Sequence, residues 1–288
     1  MAINLATKYS KKIVDKFYLD SVVLGKTSKD YDWDGVNSVK VWTITTVQPG
    51  NYGRTSPIGN NEGASPAEVY SRYGALTDVQ DTLQTMTLTQ DKSVALVVDK
   101  GDNTQQMLIK NAGVVMAREL REQFIPMFDK YVIGQAVSNA GTNTVHASLT
   151  KSNIVEAIGD HVTELMNANT DPRDAYCFIG ATNFGKLVLA PEFLNLEKLG
   201  EKAVDNGVVG RVRGLAIVPV PDAYLPSGTN FVTWKKQCIL APTQIKDAKV
   251  HQDPPGLSGA LLEIRWLYDA FVLTTKNKGV IADNTTSV

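Results

Sequence analysis

The stretch LIKNAGVVMARELREQFIPMFDKY (108–131) decides how the rest of this chain reads. Leu108, Ala112, Val115, Met116, Leu120, Phe124, Met127, Phe128 and Tyr131 recur at intervals of three and four, the spacing of one apolar face on a helix. Upstream, Asp102 followed three residues later by Gln105 has the spacing of a capping box. The pattern predicts a helix beginning near residue 102 and about 25 to 35 residues long, against a mean of about 12. Pro126 lies inside it and predicts a kink or break, since proline removes a ladder bond and crowds the preceding turn. One small domain cannot bury so long a helix, so it reads as a spine.

Working outward, the period on the N-terminal side changes to two. Val39, Val41, Trp42, Ile44 and Val47 predict a strand that ends in the turn signal Gln48-Pro49-Gly50-Asn51. Leu83, Thr85, Thr87 and Thr89 predict a returning strand, and residues 94–98 a short apolar one. Between the first two lies a polar stretch rich in Gly, Asn and Ser (51–74), longer than compact domains usually tolerate without a function. It carries Tyr52, Arg54, Tyr70, Arg72 and Tyr73, residue types enriched at protein interfaces, which makes these five the candidate inter-subunit contacts. A two-stranded excursion of this kind is marginal alone, so something else must hold it. At the N-terminus Tyr9, Ile13 and Phe17 predict a short amphipathic helix among Lys8, Lys11, Lys12 and Lys16. A solvated face over a buried stripe explains those lysines better than nucleic-acid contact.

On the C-terminal side Thr150 or Ser152 caps a helix whose face is Ile154, Ile158, Val162 and Leu165. Residues 175–179, 215–220 and 230–240 read as strands, and 184–189 as helix. A long strand region follows at 261–266 and 270–274, and the polar end from Ala282 is expected to fray.

The chain of 288 residues carries 29 Lys+Arg against 30 Asp+Glu, with 43% hydrophobic residues. This excludes an intrinsically disordered chain and argues against a domain that grips nucleic acid by bulk charge. The two cysteines, Cys177 and Cys238, sit in or beside apolar runs and read as buried inert thiols rather than a disulfide or a catalytic pair. No signal-peptide core and no membrane-length apolar run occurs, so the expectation is a soluble protein of a reducing cytoplasm.

Chemical motifs come close and fail. Gly25-Lys26-Thr27 matches the end of a phosphate-binding loop, but Asp20 stands where the loop needs its first glycine. Asp30, Asp32, Asp34 and Gly35 match the opening of a calcium loop, but Val41 stands where it needs a bidentate carboxylate. His146, His161 and His251 are scattered and none has a Cys or His at metal-ligand spacing. Arg118 and Glu122 are four apart on the predicted helix, which makes them an exposed ion pair rather than acid/base machinery. No catalytic, cofactor-binding or metal residue is assigned.

The order of parts resembles the major capsid proteins of tailed bacteriophages, with the fold called Hong Kong ninety-seven. YDWDGVNSVKVWTI (31–44) resembles the family's way into its extended loop, and LTQDKSVALVVDKGDN (88–103) its way out. RELREQFIPMFDKY (118–131) resembles the spine helix, including a proline and the pair Asp129 and Tyr131. NGVVGRVRGLAIVPVP (206–221) resembles the axial domain's hairpin, and YDAFVLTTKNKGV (268–280) the closing strand.

The resemblance implies an α+β fold with an N-terminal arm (1–34), an extended β-hairpin loop (35–92), a peripheral domain with a long spine helix (93–148 and 260–288) and an axial domain (149–259). It implies hexamers and pentamers in a shell around double-stranded DNA held without sequence-specific binding. A virion protein assembled in the host cytoplasm, with no membrane partner, is the corresponding expectation. Because the spine begins near residue 102, a separate scaffold protein is expected, with a portal and a decoration protein as further candidate partners. No local motif identifies a lysine–asparagine crosslink. The competing readings are an encapsulin-like protein compartment and a cytoplasmic enzyme with a site between two domains.

Overall fold

The spine forms where its apolar stripe predicts, but not as one uninterrupted α-helix. In this computed structural model, which describes residues 20–31, 33, 36–52, 73, 78–105, 111–190 and 210–286, a short helix α1 covers Lys100–Gln105. The long helix starts afresh as α2 (Ala112–Glu119), passes through a π turn (Leu120–Phe124) and continues as α3 (Ile125–Ser138). Its cap is Asn111, whose Oδ1 accepts the Gly113 N–H at 3.0 Å, a bond worth roughly 1 kcal/mol. The side chains of Asp102 and Gln105 lie outside the described residues. Just before Pro126, where a kink or break is expected, stands the π turn, in which the Ile125 N–H reaches the Leu120 carbonyl five residues back. Pro126 has no N–H, so one carbonyl of the preceding turn loses its helical donor in either register. A wider turn adds little to that loss and gives the pyrrolidine ring room.

The chain divides into two compact units, Ser38–Met86 and the remainder. The smaller unit is a two-stranded sheet of β1 (Ser38–Ile44) and β2 (Asp81–Thr87).

In the larger unit, β3 (Gln90–Asp99) joins a three-stranded antiparallel sheet in the order β10 (Thr243–Gln252), β11 (Gly259–Tyr268), β3. Alternate residues of β11 (Ala260, Leu262, Ile264, Trp266 and Tyr268) are buried, and the spine covers that face. Phe128 stacks on Trp266 at 5.3 Å and meets Tyr268 edge-on at 5.3 Å, while Tyr131 meets Tyr268 at 5.6 Å. Each such ring pair contributes about 0.5–1.5 kcal/mol beyond its burial.

A six-stranded mixed sheet follows, in the order β4 (Thr142–Val145), β13 (Val280–Asn284), β8 (Thr229–Lys235), β5 (Ala175–Gly180), β7 (Leu215–Val220), β6 (Gly210–Val212). A two-stranded pair, β9 (Ile239–Leu240) with β12 (Phe271–Val272), lies outside it. The central strands are apolar on both sides because both faces are covered. Phe178, Val218, Val232, Trp234, Val280 and Ala282 pack with the spine. Cys177, Ile179, Ile217, Phe231 and Ile281 pack with α4 (Ile154–Asn167) and α5 (Ala181–Val188).

The C-terminus departs from expectation. Residues 280–284 do not fray; they form the buried strand β13, parallel to β4 and antiparallel to β8. Ala282 and Asp283 are both 0% exposed. The polar letters misled because Asp283 is satisfied internally by hydrogen bonds.

Candidate assembly surface and its anchors

In the smaller unit, alternation along β1 puts Val39, Val41 and Thr43 on a half-buried face and Lys40, Trp42 and Ile44 on the other. Trp42, Ile44 and Val47 are each 66% exposed, and Val79 and Leu83 are exposed as well. The Thr45 N–H and hydroxyl both donate to the Gln80 carbonyl, at 2.9 and 2.8 Å, beyond the ends of the strands. Of the five candidate contact residues, Tyr52 and Tyr73 come together edge to face at 5.0 Å, and Tyr73 is 82% exposed. Arg54, Tyr70 and Arg72 lie outside the described residues.

On the spine, Arg118 Nε lies 3.2 Å from Glu122 Oε1, as the four-residue spacing predicts. The pair is more sheltered than an exposed one, since the Glu122 side chain is only 12% exposed. It contributes roughly 0.3–0.5 kcal/mol, the usual worth of a helical i,i+4 pair.

Asp129 and Tyr131 are anchors. Asp129 accepts the Ser21 hydroxyl at 2.6 Å and the Val22 N–H at 2.8 Å, which ties the segment after residue 20 to α3. Burial pushes the Asp129 carboxyl up, against the pull of those donors and of Lys26. Lys26 is itself buried; burial lowers its pKa and Asp129 raises it, and its Nζ donates to the Val22 carbonyl at 2.8 Å. Glycine before it notwithstanding, this lysine is a strut and not a phosphate ligand. The Lys26 carbonyl accepts the Trp234 indole N–H at 3.0 Å, and the Ser28 N–H donates to the Ile239 carbonyl at 2.8 Å.

Tyr131 donates to Asp269 at 2.8 Å, and Asp269 also accepts the Thr89 N–H and hydroxyl at 2.8 Å each. The Leu88 N–H donates to the Asn37 carbonyl at 3.0 Å. Thus residues 37 and 88, where the chain leaves and re-enters the larger unit, are bonded side by side. Sequence reading found Asp129 and Tyr131 through a resemblance but missed Asp269, whose only local signal is a lone acid in an apolar strand region.

Both cysteines are buried and free, and burial pushes the Cys177 thiol up to about 12. Among the described residues no three His, Cys, Asp or Glu side chains converge to hold a metal ion. Asp32, Asp34 and Gly35 of the calcium-like stretch lie outside those residues. A cavity of about 580 Å³ beside residues 21–33 is walled by Leu24, Trp33, Phe128, Leu240 and Trp266, with no acid, histidine or cysteine in its described lining. No described helix is long and apolar enough to cross a membrane.

No family model and no curated protein matches this sequence. Solved structures do. A chain of Mycobacterium phage Che8 is similar at 17% identity and a TM-score of 0.76, covering 100% of both chains. A chain of the capsid of cyanophage P-SCSP1u is similar at 14% identity and 0.72, covering 98% of this chain and 93% of that one. A chain of the mature capsid of bacteriophage PhiM1 is similar at 14% identity and 0.68, covering 98% and 92%. The chain therefore has the phage capsid fold, an α+β fold, from end to end. The similarity lies in the path of the backbone rather than in shared side chains.

Proposed function

We propose that this chain is the major capsid protein of a tailed phage, building the icosahedral shell that encloses a double-stranded DNA genome. Agreement with phage capsid chains over 98% of this chain carries the reading. Residues 1–34 act as the N-terminal arm and 35–92 as the extended loop. Residues 93–148 with 260–288 form the peripheral domain and 149–259 the axial domain, whose sheet β4 and β13 complete. The protein is structural and not an enzyme, acts as a homo-oligomer of hexamers and pentamers, and resides in the virion after assembly in the host cytoplasm. A separate scaffold protein and a portal complete the pathway, and a decoration protein is a further candidate. The near-neutral balance of 29 basic against 30 acidic residues suits a wall that encloses DNA without binding it by sequence.

The exposed side chains of Trp42, Ile44, Tyr52 and Tyr73 are the contacts through which one subunit meets the next, with Arg54, Tyr70 and Arg72 alongside. Many modest contacts of this kind reinforce one another once a shell closes. Deleting residues 51–74 tests the reading. The expected result is a folded subunit that forms no shells by negative-stain microscopy, whereas normal shells from the deletion sink the contact assignment. Nuclease-protected DNA copurifying with wild-type shells is expected; a protein cargo in its place would point to a compartment.

A further inference from the structure

Two of the three histidines that are scattered in sequence meet in one polar chain, which runs from the half-exposed Asp160 to the buried His161, at the β4–β13 margin of the six-stranded sheet. His146, just past β4, places Nδ1 2.6 Å from Asp283 Oδ1 on β13 and Nε2 3.4 Å from Asp160 Oδ2 on α4. Thr144 donates its hydroxyl to the same Asp283 oxygen at 2.8 Å. Asn230 of β8 donates to the other Asp283 oxygen at 2.8 Å and to the His146 carbonyl at 2.9 Å. With its proton committed to Asp283, Thr144 Oγ1 accepts from His161 Nε2, 2.9 Å away. That leaves His161 Nδ1 as the acceptor for Thr233, at 2.8 Å. The chain thus has one direction, and it fixes His161 as a neutral, fully buried ring.

We propose that His146 is a proton-operated latch for the C-terminal strand: as imidazolium it bridges Asp283 and Asp160 and so ties β13 and β4 to α4, and on losing its proton it lets α4 go. A neutral ring keeps its single proton on Nδ1, toward the buried Asp283 at 2.6 Å. Its bare Nε2 lone pair then faces the Asp160 carboxylate, and attraction turns to repulsion.

Among the described residues, the charged and titratable groups facing His146 are Asp160 and His161 from α4 and Asp283 from β13. Strand β8 offers the neutral Asn230 and Thr233, and Cys177 of β5 bonds Thr233 and feels the Asp283 charge. Burial tends to lower the His146 pKa, but Asp283 and then Asp160 more than offset it and leave it above 6.5. Its stabilisation is therefore complete below about 6.5 and is lost as pH rises through the raised value. His161 runs the other way. Burial, reinforced by His146, drives it from 6.5 to about 3, so stability falls as pH drops below 6.5 toward 3. The latch thus acts on the alkaline side and the buried ring on the acid side.

The test is independent of the capsid reading. Hydrogen–deuterium exchange of the full chain, corrected for intrinsic rates, is followed in peptides covering β4 and β13 at pH 6 and pH 9. Protection in the wild type is expected to fall at the higher pH by up to about tenfold per unit of pKa difference between folded and unfolded states. His146→Gln should abolish that fall. Asp160→Asn, at a half-exposed position, should shrink it. Equal protection at both pH values in the wild type, an unchanged fall in His146→Gln, or an unchanged fall in Asp160→Asn would each overturn the latch.

Discussion

Asp129 and Tyr131 are two residues apart on one helix yet hold different segments, Asp129 that of Ser21 and Val22 and Tyr131 that of Asp269. Replacing Asp129 with alanine removes the charged acceptor of the part-buried Ser21 hydroxyl and Val22 N–H, so a loss of about 1–3 kcal/mol is expected in denaturant titration. Faster proteolysis near residues 20–28 should accompany it. Two glycines make a matched prediction. Gly259 sits at φ +144°, and a Cβ there would run into the Val98 carbonyl across the strand pair. Gly259→Ala should cost about 1–3 kcal/mol. Gly134, inside α3, has open space where its Cβ would be, so Gly134→Ala should stabilise by about 0.5–1 kcal/mol. Thermal melts of the two variants should move in opposite directions. Neither glycine is distinguishable by sequence, because the difference lies in φ and in what stands opposite.

At the scale of elements, the spine is held by rings. Phe128 touches both Trp266 and Tyr268, and it is buried, so Phe128→Ala should cost about 3–5 kcal/mol by chemical denaturation. The stripe that announced this helix was legible because periodicity is local. Its true start at Asn111 and its π turn were not. Capping-like letters recur by chance, and the response to Pro126 depends on which face the flanking sheets hold. The strands of apolar letters at 175–179 and 215–220 were legible for the same reason that they are central: both faces are covered. β10 went unread, because TQIKDAKVHQ (243–252) is an edge strand with mixed polarity.

For the whole molecule, assembly and folding should separate. Trp42→Ser with Ile44→Ser replaces two exposed side chains, so the stability of the free subunit should change by no more than about 0.5 kcal/mol. Sedimentation and microscopy should nonetheless show few or no shells. A variant that assembles normally would move the contact surface elsewhere on the chain.

By itself the sequence determined the elements that repeat locally: the apolar spine, the alternating hairpin strands, the buried central strands and the inert cysteines. The order of those parts was enough to suggest the capsid fold. Only the tertiary structure decided the strand order of the six-stranded sheet, the capture of residues 280–284, with their polar Asp283 and Asn284, as its second strand, and the pairing of His146 with Asp283. The physical reason is distance along the chain. Ser21 lies 108 residues from Asp129, Tyr131 lies 138 from Asp269, and His146 lies 137 from Asp283. A buried acid becomes tolerable only once its donors arrive, and those donors come from strands and helices that no local pattern connects.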